Sequence, residues 1–97
     1  MSTFTIHDLE ARVHQRATES AEVSYTRKLL DKGVAHCAKK LGEEAVETAL
    51  AAVGNDRGHL VAEAADLLYH LLVVLEQRQV RPSAVLDVLR ERRGSAR

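Results

Sequence analysis

The sequence LVAEAADLLYHLLVVL, residues 60–75, decides the fold class of this chain of 97 residues. Aliphatic side chains fill the stretch except at four positions, Glu63, Asp66, Tyr69 and His70. Polar and apolar residues do not alternate along it as they would in a half-exposed strand. Its sixteen residues fall short of the ~20 that span a bilayer, and two acids near its middle would be costly in lipid. The stretch therefore predicts a core helix, over about residues 58–79.

A second long helix is predicted just before it, over residues 34–53, and the turn Gly54-Asn55-Asp56 ends it. At about 100° per residue, its apolar side chains fall on two nearly opposite sides. One side holds Leu41, Ala45, Ala49 and Ala52, and the other holds Val46, Leu50 and Val53. A helix with two apolar sides contacts neighbours on both, as in the interior of a bundle.

Shorter helices are predicted on either side of this pair. Thr5 and Asp8 have the spacing of a capping box, which starts a first helix. A polar loop is expected over residues 18–26, followed by a short helical segment that Gly33 ends. Pro82 suits the first turn of a last helix.

The expected fold is thus all-α, a helical bundle of four to five helices in one domain that spans residues 1–97. The two long helices offer more apolar surface than a chain of this size covers by itself. Homodimerisation is therefore expected to complete the bundle.

The charge of the chain is zero in sum but segregated along the sequence. Residues 1–42 carry seven basic and five acidic side chains, residues 43–76 carry one and seven, and residues 77–97 carry six and two. These counts give net charges of +2, −6 and +4. A neutral chain does not fit a protein that coats nucleic acid, and the acidic middle requires a different partner.

Cys37 is the single cysteine, which excludes an internal disulfide and a cysteine-based metal cluster. No secretory apolar segment follows Met1, because polar residues separate Phe4, Ile6 and Leu9. A cytoplasmic protein without a membrane partner is expected.

The acidic residues converge on one side of each long helix. Residues 39–47 read KKLGEEAVE, and one wedge of about 100° holds His36, Lys40, Glu43, Glu44 and Glu47. Glu63, Asp66 and His70 likewise share a face of the following helix. Antiparallel packing across the short turn brings the two faces together, with Glu44 and Glu47 opposite Glu63 and Asp66. Four carboxylates with no cysteine among them predict a metal site with oxygen ligands, which suits Mg²⁺ or Mn²⁺.

Structural alternatives stand beside the metal site. The acids of residues 43–47 alone are typical of a solvated helix surface. Glu63 and Asp66 interrupt an apolar segment, so their charges need a partner. That partner is either Lys or Arg in a buried ion pair or a metal ion, and the metal ion is favoured. His70 is predicted to be a core or rim histidine, and the role of His36 stays open.

The spacing of these acids resembles a known signature. Glu43-Glu44-x-x-Glu47, fifteen residues and then Glu63-x-x-Asp66 is similar to the signature of the all-α, MazG-like nucleoside triphosphate pyrophosphohydrolases. Three motifs resemble one branch of them, the phosphoribosyl-ATP pyrophosphohydrolases: SYT-x-KL at residues 24–29, KKLGEEA-x-E at 39–47 and DLLYHL at 66–71. The resemblance covers about residues 4–94.

The resemblance implies hydrolysis of phosphoribosyl-ATP between its α and β phosphates, with Mg²⁺, in a helical homodimer. This reaction gives phosphoribosyl-AMP and pyrophosphate in the second step of histidine biosynthesis. The implied metal ligands are Glu44, Glu47, Glu63 and Asp66, and the implied catalytic acids, which orient the attacking water, are Glu43 and Glu47. The implied phosphate-binding side chains are Lys28 and Lys40, followed by Lys32 and Lys39.

Two other functions remain open from the residues. The same carboxylates would serve a housekeeping pyrophosphohydrolase that acts on another nucleotide. Alternatively, the chain is a helical dimerisation module without catalytic activity, in which the acids pair with the basic segments.

Overall fold

A computed structural model describes residues 3–93 of the chain. Five α-helices follow one another in the order α1 Ile6–Ala17, α2 Tyr25–Asp31, α3 Val34–Ala52, α4 Arg57–Gln77 and α5 Pro82–Arg92. No strand occurs within residues 3–93. The all-α prediction with four to five helices is confirmed.

Side-chain caps fix where the helices begin. The Thr5 hydroxyl accepts a hydrogen bond from the Asp8 backbone N–H (3.2 Å), and the Asp8 carboxylate accepts one from the Thr5 N–H (2.8 Å), which confirms the predicted capping box. Buried Ser24 caps α2 by accepting from the Arg27 N–H, and its own hydroxyl donates to the Arg16 carbonyl. Because this cap lies inside the stretch predicted to be a loop, α2 begins before the predicted loop ends. Gly33, with a φ of 95°, separates α2 from α3 as expected.

Helices α3 and α4 make the most extensive contact in the fold, and residues 53–56 connect them. The Thr48 hydroxyl lies 2.7 Å from the Glu44 carbonyl on its own helix and 3.0 Å from the Glu63 carbonyl on α4. It therefore fixes the register between two acid-bearing turns.

The core lies at one end of this helical pair. Its buried side chains come from α1, α2, α3 and α4, and they are Val13, Ala17, Leu29, Leu30, Cys37, Leu72 and Val73. The Cys37 thiol donates to the Leu29 carbonyl (3.2 Å), so this single cysteine is a packed core residue.

The expectation that residues 60–75 are buried from end to end is wrong for the first half of α4 and for one side of its second half. Val61 is 69% exposed, and Leu68 and Leu71 also face outwards. On α3, the side predicted to hold Val46, Leu50 and Val53 is exposed as well. The reason is that α1 and α2 cover α4 only from about Tyr69 onwards.

By length and composition alone, α4 is a candidate for a membrane span, since it has 21 residues rather than sixteen. This is weak evidence, because core helices of water-soluble proteins satisfy the same criterion. The absence of a membrane partner stays a prediction.

Replacing a core side chain tests the packing of α2. Leu29 is 2% exposed, so Leu29→Ala is expected to lower the free energy of unfolding by about 2–5 kcal/mol. Val23, 68% exposed in the turn before α2, provides the control. Val23→Ala should change the free energy of unfolding by less than about 0.5 kcal/mol. Urea unfolding at one protein concentration measures both. Equal effects of the two substitutions would contradict the placement of the core.

Candidate metal centre

Three carboxylates meet where α3 passes α4. Glu44 of α3 and Glu63 and Asp66 of α4 each offer one oxygen, and these three oxygens lie within 4.8 Å of one another. We call these three residues the acidic cluster. Because Glu63 and Asp66 are three residues apart on one helix, they share a face, and the register set by Thr48 brings that face to Glu44. The predicted convergence of these three acids is confirmed.

The chemistry of the cluster fits a divalent cation. One oxygen of Glu44 and one of Glu63 are buried without a hydrogen-bond partner among residues 3–93. The imidazole of His59, 3.7 Å from the other Glu63 oxygen, is the basic group beside them. No lysine in the described part of the chain forms the alternative buried ion pair with these acids. Unpartnered carboxylate oxygens, with neither sulfur nor an inward imidazole, are ligands that Mg²⁺ and Mn²⁺ prefer.

The mutual repulsion of these acids shows in their proton affinities. Burial raises the pKa of Glu44, and the negative charges of Glu47, Asp66 and Glu63 raise it further. The pKa of Glu63 is raised first by a side-chain hydrogen bond with Glu47, then by burial, while His59 opposes the shift. A bound cation would favour the ionised form of all these groups.

Glu47 is close to the cluster without being one of its three members. It is exposed on α3, and its carboxylate interacts with both Glu44 and Glu63. Asp66 is exposed as well, so the expectation of two acids enclosed by apolar side chains is wrong for that residue. The cluster thus lies at the surface, open on the side of Asp66 and Glu47.

Among the predicted phosphate-binding lysines, the structure brings Lys40 to this region. Its ammonium lies 3.4 Å from a carboxylate oxygen of Glu43, which is exposed and outside the cluster. The pKa of Lys40 is raised first by Glu43 and, to a smaller extent, by Tyr25 and Glu44. The other three lysines are exposed and form no ion pair within residues 3–93; they are Lys28, Lys32 and Lys39.

Next to the cluster, α4 carries Tyr69 and His70. His70 is buried, as predicted, with its ring at a steep angle to that of Tyr69 and a centroid distance of 5.1 Å. Burial lowers the pKa of His70, and Lys40 lowers it further. The ring of Tyr69 also stacks near that of Tyr25, and its hydroxyl is hydrogen-bonded to that of Thr26.

Sequence reasoning missed Arg12 and Arg16 of α1, which line a cavity with Tyr25 and Tyr69. A signal was present, since the two arginines are four residues apart and therefore share one face of α1.

Removing one charge from the cluster tests the repulsion. The raised pKa means that the folded chain protonates Glu44 more readily than the unfolded chain, whose value is near 4.5. The free energy of unfolding of the metal-free chain therefore falls as the pH rises from about 4.5 through the raised pKa of Glu44 in the folded chain. Above that pKa the loss of stability is complete. Glu44→Gln should then raise Tm in EDTA at neutral pH and leave it unchanged in acid below that window.

Thermal unfolding with and without MgCl₂ measures this effect, and Glu22→Gln, at an exposed position remote from the cluster, is the control. Mg²⁺ should raise Tm more for the wild-type chain than for Glu44→Gln. A lower Tm for Glu44→Gln in EDTA would instead indicate that Glu44 is held in a favourable ion pair.

The chain is similar to known proteins over almost its whole length. The family model for phosphoribosyl-ATP pyrophosphohydrolase matches residues 6–93. Phosphoribosyl-ATP pyrophosphatase 1 of Bradyrhizobium diazoefficiens is 60% identical over 92 residues, which are 95% of this chain and 87% of that protein. The protein of the same name from Rhodopseudomonas palustris is 58% identical over 95% of this chain and 86% of its own. Phosphoribosyl-ATP pyrophosphatase of Rhizobium meliloti is 52% identical over 95% and 86%. The chain therefore belongs to the phosphoribosyl-ATP pyrophosphohydrolase family.

Proposed function

We propose that this chain hydrolyses phosphoribosyl-ATP to phosphoribosyl-AMP and pyrophosphate, the second step of histidine biosynthesis. The observation that carries the proposal is the acidic cluster, whose three oxygens lie within 4.8 Å of one another on a chain of this family. An acidic surface repels a polyphosphate unless a cation lies between them, so the cluster and an anionic substrate are compatible through a divalent metal.

The residues present would hold Mg²⁺ or Mn²⁺ through Glu44, Glu63 and Asp66, with Glu47 as a fourth ligand. When bound, such an ion neutralises phosphate charge and orients the anhydride linkage. The two unpartnered oxygens of Glu44 and Glu63 support this assignment, because a cation supplies the partner that each lacks.

The remaining acids and the lysines serve the transfer itself. Glu43 and Glu47 are exposed beside the cluster, where a carboxylate accepts a hydrogen bond from the attacking water and takes its proton. The oxygen of that water forms a bond to phosphorus as the α–β anhydride bond breaks, and the electron pair leaves with pyrophosphate. Lys40 is close enough to Glu44 to neutralise the leaving group, and the more distant cations of this role are Lys28, Lys32 and Lys39.

We also propose that two copies of the chain associate. Both helices of the α3–α4 pair carry exposed apolar side chains, which together we call the apolar face: Val46, Leu50, Val53, Val61 and Leu68. Apolar surface of this extent is unusual on a monomer and typical of a self-complementary dimer interface. The same interface would cover the half of α4 that one chain leaves open. The proposal further treats residues 1–97 as one domain, in the cytoplasm, with no membrane or nucleic acid as partner.

The activity is tested by pyrophosphate release from phosphoribosyl-ATP with product identification. Glu44→Gln should lower kcat/KM by at least about 100-fold, because it removes a charge from the metal site, and EDTA should abolish turnover. Glu22→Gln should leave kcat/KM within about twofold of the wild type. The proposal fails if the wild-type chain with Mg²⁺ releases no pyrophosphate from phosphoribosyl-ATP, or prefers common nucleoside triphosphates.

The dimer is tested by sedimentation velocity at micromolar concentration. Leu50, 65% exposed at the centre of the apolar face, is the position to change, and Leu50→Lys should shift the chain from dimer to monomer. Val23→Lys, at an equally exposed site outside the apolar face, should leave the dimer intact. A wild-type chain that sediments as a monomer would contradict the proposal.

A further inference from the structure

We propose that a second site beside the acidic cluster binds the phosphoribosyl end of the substrate and selects phosphoribosyl-ATP over ATP. This inference rests on the proposed function, which supplies the substrate class. The site is a cavity of about 310 Å³ between α1, α2 and α4, which we call the arginine pocket. Its aliphatic lining comes from Leu9 and Val13, and its polar groups come from Arg12, Arg16, Thr26 and the two tyrosines.

The cationic groups of the pocket are suited to a phosphate monoester. Arg12 is exposed and forms no hydrogen bond or ion pair within residues 3–93, so its guanidinium is available to a ligand. Arg16 donates from one terminal nitrogen to Glu19 (2.6 Å), and it lines the pocket together with Tyr69. A planar guanidinium binds phosphate through two parallel hydrogen bonds. The described lining of the pocket contains no carboxylate, unlike the acidic cluster.

The aromatic groups of the pocket are suited to a base. The rings of Tyr25 and Tyr69 are 6.4 Å apart at an interplanar angle of 22°. Tyr69 is held in place by the hydrogen bond between its hydroxyl and that of buried Thr26. Tyr25 is 55% exposed and therefore presents a ring to solvent on which adenine can stack.

The arginine pocket and the acidic cluster are neighbours. Tyr69 follows Asp66 by one helical turn on α4, and the charge of Lys40 interacts with both Tyr25 and Glu44. Phosphoribosyl-ATP carries its triphosphate at one end and, through adenine, a second ribose with a terminal phosphate at the other. The order acidic cluster, tyrosines, arginines matches the order triphosphate, base, ribose phosphate. ATP lacks the last group, so the arginines distinguish the two nucleotides.

The experiment compares pyrophosphate release from phosphoribosyl-ATP and from ATP. Arg12→Gln should lower kcat/KM for phosphoribosyl-ATP by about 10- to 100-fold, mainly through KM, and leave that for ATP within about twofold. Arg12→Lys should recover part of the lost kcat/KM. Arg90→Gln, at an exposed position of α5, should leave kcat/KM unchanged for both substrates. Tyr25→Leu should lower kcat/KM for both substrates by about tenfold, because both substrates carry adenine. Equal loss for the two substrates in Arg12→Gln, or no loss, would overturn the inference.

Ribose 5-phosphate supplies a second measurement that does not depend on turnover. Calorimetry without Mg²⁺ should show binding to the wild type and to Arg90→Gln, and loss of binding in Arg12→Gln. Failure of the wild type to bind it would overturn the arginine pocket even if phosphoribosyl-ATP is hydrolysed. Binding without hydrolysis would overturn the proposed activity and keep the pocket as a sugar phosphate site. Where ATP is not turned over at all, this binding measurement decides.

Discussion

The packing of α3 against α4 forces carboxylates together that repel each other in the absence of a cation. The hydroxyl of Thr48 bridges the two helices at the Glu63 carbonyl, so the helices cannot slide to separate Glu44 from Glu63 without breaking this contact. The raised pKa values of both acids express the resulting cost. The proposed cation would offset this cost, because carboxylate oxygens are ligands that Mg²⁺ and Mn²⁺ prefer.

The position of the cluster follows from where the core lies. Helices α1 and α2 pack on the second half of α4, through side chains such as Leu29 and Val73. The first half of α4 lies beyond this core, and Asp66 of α4 and the neighbouring Glu47 of α3 are exposed. Stability and ligand access are thus divided along a single helix. The division also leaves the apolar face uncovered, and this is the surface that the proposed dimer would bury.

The periodicity of the sequence along each helix could predict which acids share a face, because helical spacing alone places them. The capping box of Thr5 and the turn after α3 were equally local and were equally predictable. The half-exposed state of α4 was not, since burial depends on how far α1 and α2 reach along it. Arg12 and Arg16 were missed for the same reason. Their neighbours Tyr25 and Tyr69 come from other helices, and sequence spacing does not reveal contacts between them.

The distribution of charge around Lys40 shows why a protein cation does not take the place of the metal. Its ammonium pairs with the exposed Glu43 at 3.4 Å, and this partner keeps it on the rim rather than among the buried oxygens. An exposed pair of this kind is weak because water screens it, so it yields readily to a phosphate group. One ammonium also carries too little charge to balance three converging carboxylates. A divalent ion supplies twice that charge and still has coordination positions for phosphate oxygens. The charge of Lys40 interacts with both Tyr25 and Glu44, so this ammonium lies at the boundary between the acidic cluster and the tyrosines.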